Sequence, residues 1–211
     1  VGALFLTGVG RALWPDAVGE RLSILIYHRI LAQPDPLLPN EITIDQFRDN
    51  MKMLANRFNV LDLSEGLRRL EDGTLPPLSV CITFDDGYRD NCTEALPVLK
   101  QFGLPATFFV ATGYLDGGRM WNDTLLGIIH NWQKDAIDLR DWGIPLIAMT
   151  TAAERQKAWK ALFRWMRRIG IRGRDEMLAR LQAVVERPLP DDLMMTTEHV
   201  RMLHAERMGI G

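Results

Sequence analysis

The residues best equipped for chemistry are two adjacent carboxylates at the end of an apolar run. Leu78-Ser79-Val80-Cys81-Ile82-Thr83-Phe84 leads into Asp85-Asp86-Gly87-Tyr88. A short, dense apolar stretch predicts a strand buried on both faces. In parallel α/β folds the loops beyond the C-terminal strand ends carry the reactive groups. Neighbouring side chains diverge from the backbone, so one carboxylate can hold a metal while the other takes a proton from water. Gly87 permits a tight turn that a Cβ would obstruct. Asp-Asp-Gly before a helix also suits an N-cap, where it satisfies backbone amides with no catalysis. The doublet alone leaves both roles open.

Weaker candidates surround it. His28 follows the apolar run Leu22-Ser23-Ile24-Leu25-Ile26-Tyr27. If that run and the strand before Asp85 are parallel neighbours, both residues lie at one sheet edge. His28 then lines a substrate site or is a core histidine satisfied by backbone. Asn122 and Asp123 read as helix-cap residues and Trp121 as a packing residue, with a ligand contact as the alternative for each. Cys81 belongs on the buried strand. Cys92 falls on the following helix with no nearby histidine to activate it. Two cysteines build neither a disulfide framework nor a cysteine-rich zinc site.

The elements that must position these groups alternate in type. After the first strand, Pro34, Pro36 and Pro39 make a loop. Thr43 and Gln46 form a capping-box pattern opening a helix with Ile44, Phe47, Met51, Leu54 and Phe58 at helical spacing. Residues 59–63 predict a strand, and Ser64 is expected to cap a second helix ending at Gly73. A helix through Ala95, Leu96, Leu99 and Phe102 follows the acidic doublet, then a strand over 105–110. Gly117-Gly118 marks a turn before a segment from Asn122 to Trp132. Alternation of this kind implies right-handed crossovers and a parallel sheet, so the fold class is α/β. From about 152 to 187 the pattern becomes purely helical, expected as an insertion within the α/β unit rather than a separate domain. Thr197 is expected to cap a last helix through His204, and Met208-Gly209-Ile210 to begin another strand.

Composition bounds the rest. The chain has 211 residues, 47% hydrophobic, which is enough to close a core and excludes intrinsic disorder. Its net charge of -2 gives no overall drive toward nucleic acid or acidic lipid, so any such contact needs a local patch. One candidate is Arg155 to Arg174, with Arg155, Lys157, Lys160, Arg164, Arg167, Arg168, Arg172 and Arg174 interleaved with Trp159, Phe163 and Trp165. It reads as a solvated helix face, with a weak membrane-surface contact as the alternative. No run reaches the ~18 apolar residues of a membrane span. The mildly apolar residues 1–10 read as a surface segment, with a leftover export signal as the alternative. Bacterial cytoplasm and cell envelope both stay open.

The residues around the doublet carry a resemblance. Val80-Cys81-Ile82-Thr83-Phe84-Asp85-Asp86-Gly87-Tyr88-Arg89-Asp90-Asn91 and Gly103-Leu104-Pro105-Ala106-Thr107-Phe108-Phe109-Val110 resemble the first block of the polysaccharide deacetylases, the NodB-homology proteins of carbohydrate esterase family 4. Ile24-Leu25-Ile26-Tyr27-His28-Arg29 and Gly117-Gly118-Arg119-Met120-Trp121-Asn122-Asp123 look like further segments of bacterial members. The resemblance implies a deformed (β/α) barrel of the NodB type, present here as an incomplete N-terminal portion over 22–211 after an N-terminal segment 1–21. It implies a hydrolase that removes N-acetyl groups from amino sugars of a polysaccharide. By the same resemblance Asp85 is the catalytic base, Asp86 a ligand of a divalent metal, usually zinc, and His28, Trp121, Asn122 and Asp123 line the substrate site.

The resemblance is incomplete. The family's metal histidines stand in a His-Ser/Thr block on the strand that begins here at Met208-Gly209-Ile210, and no counterpart is present. The general acid, a late histidine, is also missing. His199 and His204 lie five residues apart, which sets their rings about 140° apart on a helix and unsuited to one ion. The missing initiator Met and the end at Gly211 are read as a piece of a longer enzyme, inactive by itself. A catalytically inactive glycan-binding barrel is the competing reading.

Overall fold

The computed structural model describes residues 21–185 and 187–211. The expectations for residues 1–10, and nearly all of segment 1–21, lie outside them. The chain divides into two compact units. Among the described residues, one comprises 21–34 together with Pro39–Gly117 and Leu193–Gly211; the other comprises Asp35–Leu38 and Gly118–Asp192.

The first unit is built on a parallel sheet. Its strands are β1 (Leu22–Tyr27), β4 (Asn59–Val60), β5 (Ser79–Phe84), β6 (Thr107–Phe108) and β9 (Gly209–Ile210), and a separate short pair joins β2 (Ile30–Leu31) to β3 (Ile42–Thr43). The order is β1-β5-β6-β9, with β4 also on β5, and every one of these pairings is parallel. Parallel neighbours require crossovers. They run through α1 (Ile44–Arg57), α2 (Leu63–Glu71), a π-helical turn (Asn91–Ala95) continuing into α3 (Leu96–Phe102), and later α7 (Thr197–Ala205). This is the expected α/β class, with the incomplete barrel seen as an open sheet.

All six residues of β5 are buried, as a strand covered on both faces must be. At its C-terminal end Phe84 stacks on Phe108, with ring centroids 4.7 Å apart and 9° between planes. Tyr27 and Phe47 pack around the same ring. The Thr43/Gln46 capping box opens α1 as expected. Gly103, left-handed with φ 64, ends α3.

Several expectations shift. The strand over 59–63 is only Asn59–Val60, because Asp62, not Ser64, caps α2 by accepting from the amides of Ser64 and Glu65. Thr196, not Thr197, caps α7, in a capping box closed by the His199 ring. The segment through Ala95 starts as a π-helical turn rather than an α-helix. Pro97 explains that: it has no amide to give the carbonyl four residues back, and its ring crowds that carbonyl. The run 22–27, read as buried, is half exposed, with Ile26 60% exposed, because β1 has a partner on one side only among the described residues.

The second unit has its own core. It holds α4 (Trp121–Asn131), an antiparallel ribbon of β7 (Ala136–Ile137) and β8 (Ile147–Ala148), α5 (Ala152–Met166) and α6 (Ile171–Gln182). Leu125, Ile128, Ile129, Leu162, Met166 and Met177 are buried together there, joined by Leu37 from the short strap. The helices expected over about 152–187 therefore belong to a larger unit that starts at Gly118. Two-residue strands carry no readable periodicity, so the ribbon gave no sequence signal.

Candidate active site

Pairing of β1 with β5 sets the first geometric fact. Tyr27 lies opposite Phe84, and the Asp85 amide donates to the Tyr27 carbonyl at 2.8 Å. His28 and Asp85 therefore leave two adjacent strands at the same C-terminal edge. His28 is exposed, whereas Asp85 and Asp86 are partly buried.

The turn after β5 is backbone-strained. Asp86 has φ 75 and Gly87 φ 76, two successive residues in the left-handed region. That region disfavours a side chain with a Cβ, and aspartate enters it more readily than most. The turn is also pinned. The Ala111 amide donates to the Asp86 carbonyl at 3.3 Å, and the Met195 amide to the Gly87 carbonyl at 2.9 Å. A Cβ on Gly87 would lie 2.9 Å from Val110 Cγ1 and 3.3 Å from its Cα, so glycine is required twice over. The N-cap of the π-helical turn is Asp90, which makes no side-chain cap bond. The doublet is therefore not spent on capping a helix.

Burial is the main influence on the Asp86 carboxyl and raises its pKa; the His28 imidazole opposes that shift and the Asp85 carboxylate adds to it. His28 and Asp85 thus both act electrostatically on Asp86 at this rim.

A supporting network lies directly beneath, and the sequence reading assigned it no role. The Asp90 carboxylate accepts from Arg29 Nε at 2.9 Å and from the Ile30 amide at 3.2 Å. The Arg29 guanidinium lies 4.8 Å above the Tyr88 ring. Asn91, fully buried, donates through Nδ2 to the His28 carbonyl at 2.8 Å, while its Oδ1 has no partner among the described residues. These bonds tie the loop after β1 to the turn after β5. Nothing in sequence spacing reveals them, since the partners are about sixty positions apart; an aspartate and an asparagine at a helix start read as ordinary capping chemistry.

Trp121, Asn122 and Asp123 lie in the second unit, in the first turn of α4. The N-cap of that helix is Met120, so neither polar residue occupies the cap position. Asp123 is buried. Trp121 stacks on Phe163 at 5.1 Å, and the Arg174 guanidinium lies 4.7 Å above its ring. Cys81 is buried on β5, where burial and then Asp62 push its thiol up to about 11, and burial also raises Cys92. Neither is a ready thiolate at neutral pH.

Residues 72–157 match the family model Polysaccharide deacetylase. That span includes the acidic doublet, the π-helical turn, β6 and α4. A Bacillus subtilis protein whose name assigns it to the polysaccharide deacetylases, YxkH, is 38% identical over 92 residues, 43% of this chain and 32% of the relative. The poly-beta-1,6-N-acetyl-D-glucosamine N-deacetylase of Staphylococcus epidermidis is 34% identical over 86 residues, 40% of this chain and 30% of the relative. The chain spans about a third of the length of these curated relatives. Among solved structures, the Streptococcus pyogenes deacetylase PplD in complex with acetate aligns with TM-score 0.41 and 29% identity, covering 45% of this chain and 44% of that one.

The metal that polysaccharide deacetylases imply can be tested against the residues present. Among the described residues no group of three His, Cys, Asp or Glu side chains could hold an ion. His199 uses Nδ1 to accept the Thr196 amide. The described residues therefore do not fit a metal shell.

Proposed function

We propose that this chain carries the proton-handling part of a polysaccharide N-deacetylase, with Asp85 as the general base. One observation supports the reading above the others: the doublet stands on a strained, pinned turn at the C-terminal edge of a buried parallel strand, beside His28, within the span that matches polysaccharide deacetylases. Hydrolysis of an acetamide needs a base to take a proton from the attacking water. Asp85 has the exposure to reach water and the rigid mounting to aim at it. Asp86, partly buried and held close to its neighbour, is assigned as the family's ligand carboxylate. His28 is assigned to the substrate side of the rim; Asp123 is buried and Trp121 stacks on Phe163 within the second unit, so neither is assigned a substrate contact. The substrate class is an N-acetylated amino-sugar polymer, as the name of the staphylococcal relative suggests.

The test is acetate release from a poly-N-acetylglucosamine by a protein carrying this sequence. Asp85→Asn is expected to lower the rate by about 10²–10⁴-fold, the usual contribution of a positioned base, while leaving polymer binding in place. Unchanged release would exclude Asp85. Polymer binding with no turnover in the wild type would establish the glycan-binding barrel instead.

A further inference from the structure

We propose that the outer face of α5 is a docking surface for an anionic lipid bilayer. Lys157, Lys160, Arg164 and Arg167 fall within about 80° of arc on a helix of 3.6 residues per turn, and Arg168 stands beside them. All five are exposed, and the buried residues Ala158, Leu162 and Met166 face the unit's core about half a turn away. Residues 155–174 contain eight basic side chains and no acidic one.

Several other exposed arginines are matched with carboxylates, as in Arg48–Asp45, Arg68–Glu65, Arg140–Asp138 and Arg172–Glu176. None of these five makes an ion pair among the described residues. Glu154, at the start of the helix, is already committed to the amides of Thr150 and Thr151. An uncompensated basic stripe over three turns is suited to a surface of negative charge rather than to a single counter-ion.

The flanking aromatics select the surface. Trp159 packs on Phe163 at 5.1 Å, Phe163 on Trp121, and Trp165 meets Trp142 edge-on. With rings already packed on rings, these side chains are poorly placed to stack nucleic-acid bases. Their half-buried edges, beside basic residues, match the composition of a membrane interface. Ile171, just past the stripe, is 70% exposed and adds an apolar contact. No helix among the described residues is long and apolar enough to cross a membrane, so the contact is at the surface.

Flotation of the 211-residue protein with vesicles tests this. Phosphatidylcholine vesicles holding about a third phosphatidylglycerol should bind it, pure phosphatidylcholine vesicles should not, and salt near 0.5 M should release it, as expected for a screened charge interaction. Lys160→Glu with Arg164→Glu should weaken binding at least about tenfold, since each basic residue near an anionic surface is worth roughly fivefold. Lys160→Gln with Arg164→Gln, a milder change at exposed positions, should give a smaller loss in the same direction. Absence of wild-type flotation, or equal binding by both variants, overturns the proposal. So does retention on a homopolymeric RNA that anionic vesicles fail to displace, which would assign the stripe to nucleic acid.

Discussion

The Arg29–Asp90 pair decides how firmly His28 is held. Its side chains are 18% and 14% exposed, with N and O 2.9 Å apart. Burial raises the Asp90 pKa, opposed first by the Arg29 charge and then by the Ile30 amide and the arginine hydrogen bond. Asp90→Ala leaves the Arg29 guanidinium and the Ile30 amide without their acceptor and should cost about 1–3 kcal/mol at neutral pH. The sign of its pH dependence follows from linkage. A carboxyl whose folded pKa is raised binds its proton more tightly when folded, so its ionisation costs stability as pH rises from the ordinary value through the raised one. The wild type recovers that cost on acidification and the alanine variant has none to recover. The gap between them should therefore widen as pH falls from 7 toward about 4, which urea titrations at several pH values will show. An unchanging or shrinking gap would refute this account.

At the scale of elements, the site depends on one turn between β5 and the π-helical segment. Asp86 and Gly87 bear consecutive positive φ values, and the loop after β6 closes over them through Val110 and Ala111. Gly87→Ala combines a left-handed alanine with a Cβ 2.9 Å from a valine methyl. A destabilisation of about 1–3 kcal/mol is expected from strain of this class, read as a lower urea midpoint. A midpoint within error of wild type would mean the turn relaxes easily and does not fix the doublet. The requirement for Gly87 was legible in the sequence, because a tight turn after a strand calls for glycine. The left-handed aspartate was not, since no spacing rule places a Cβ-bearing residue there.

At the scale of the whole chain, the described residues contribute to metal binding no more than scattered donors. Tight zinc binding needs about four ligands in a closed or nearly closed shell. Equilibrium dialysis of the 211-residue protein against micromolar zinc should show no stoichiometric uptake. Tight, stoichiometric uptake would show that a ligand set has been overlooked. The division into two units belongs to this scale too. Helical periodicity revealed α5 and α6, but the short ribbon and the strap at Asp35–Leu38 join their core through contacts that no local pattern encodes.

The sequence by itself determined the α/β class, the buried strand before the doublet, the capping box at Thr43 and the need for Gly87. Each is local: periodicity, turn chemistry and caps act over a few residues. Tertiary structure alone decided that β1 lies beside β5 in register, so that His28 meets Asp85 and Asp86 at one rim. It also decided that Arg29, Asp90 and Asn91 brace that rim, and that Trp121 packs on Phe163 in the second unit. The physical reason is the same in each case. Strand order, burial of an ion pair and ring stacking join residues tens of positions apart, and only the folded chain brings them within hydrogen-bonding or van der Waals reach.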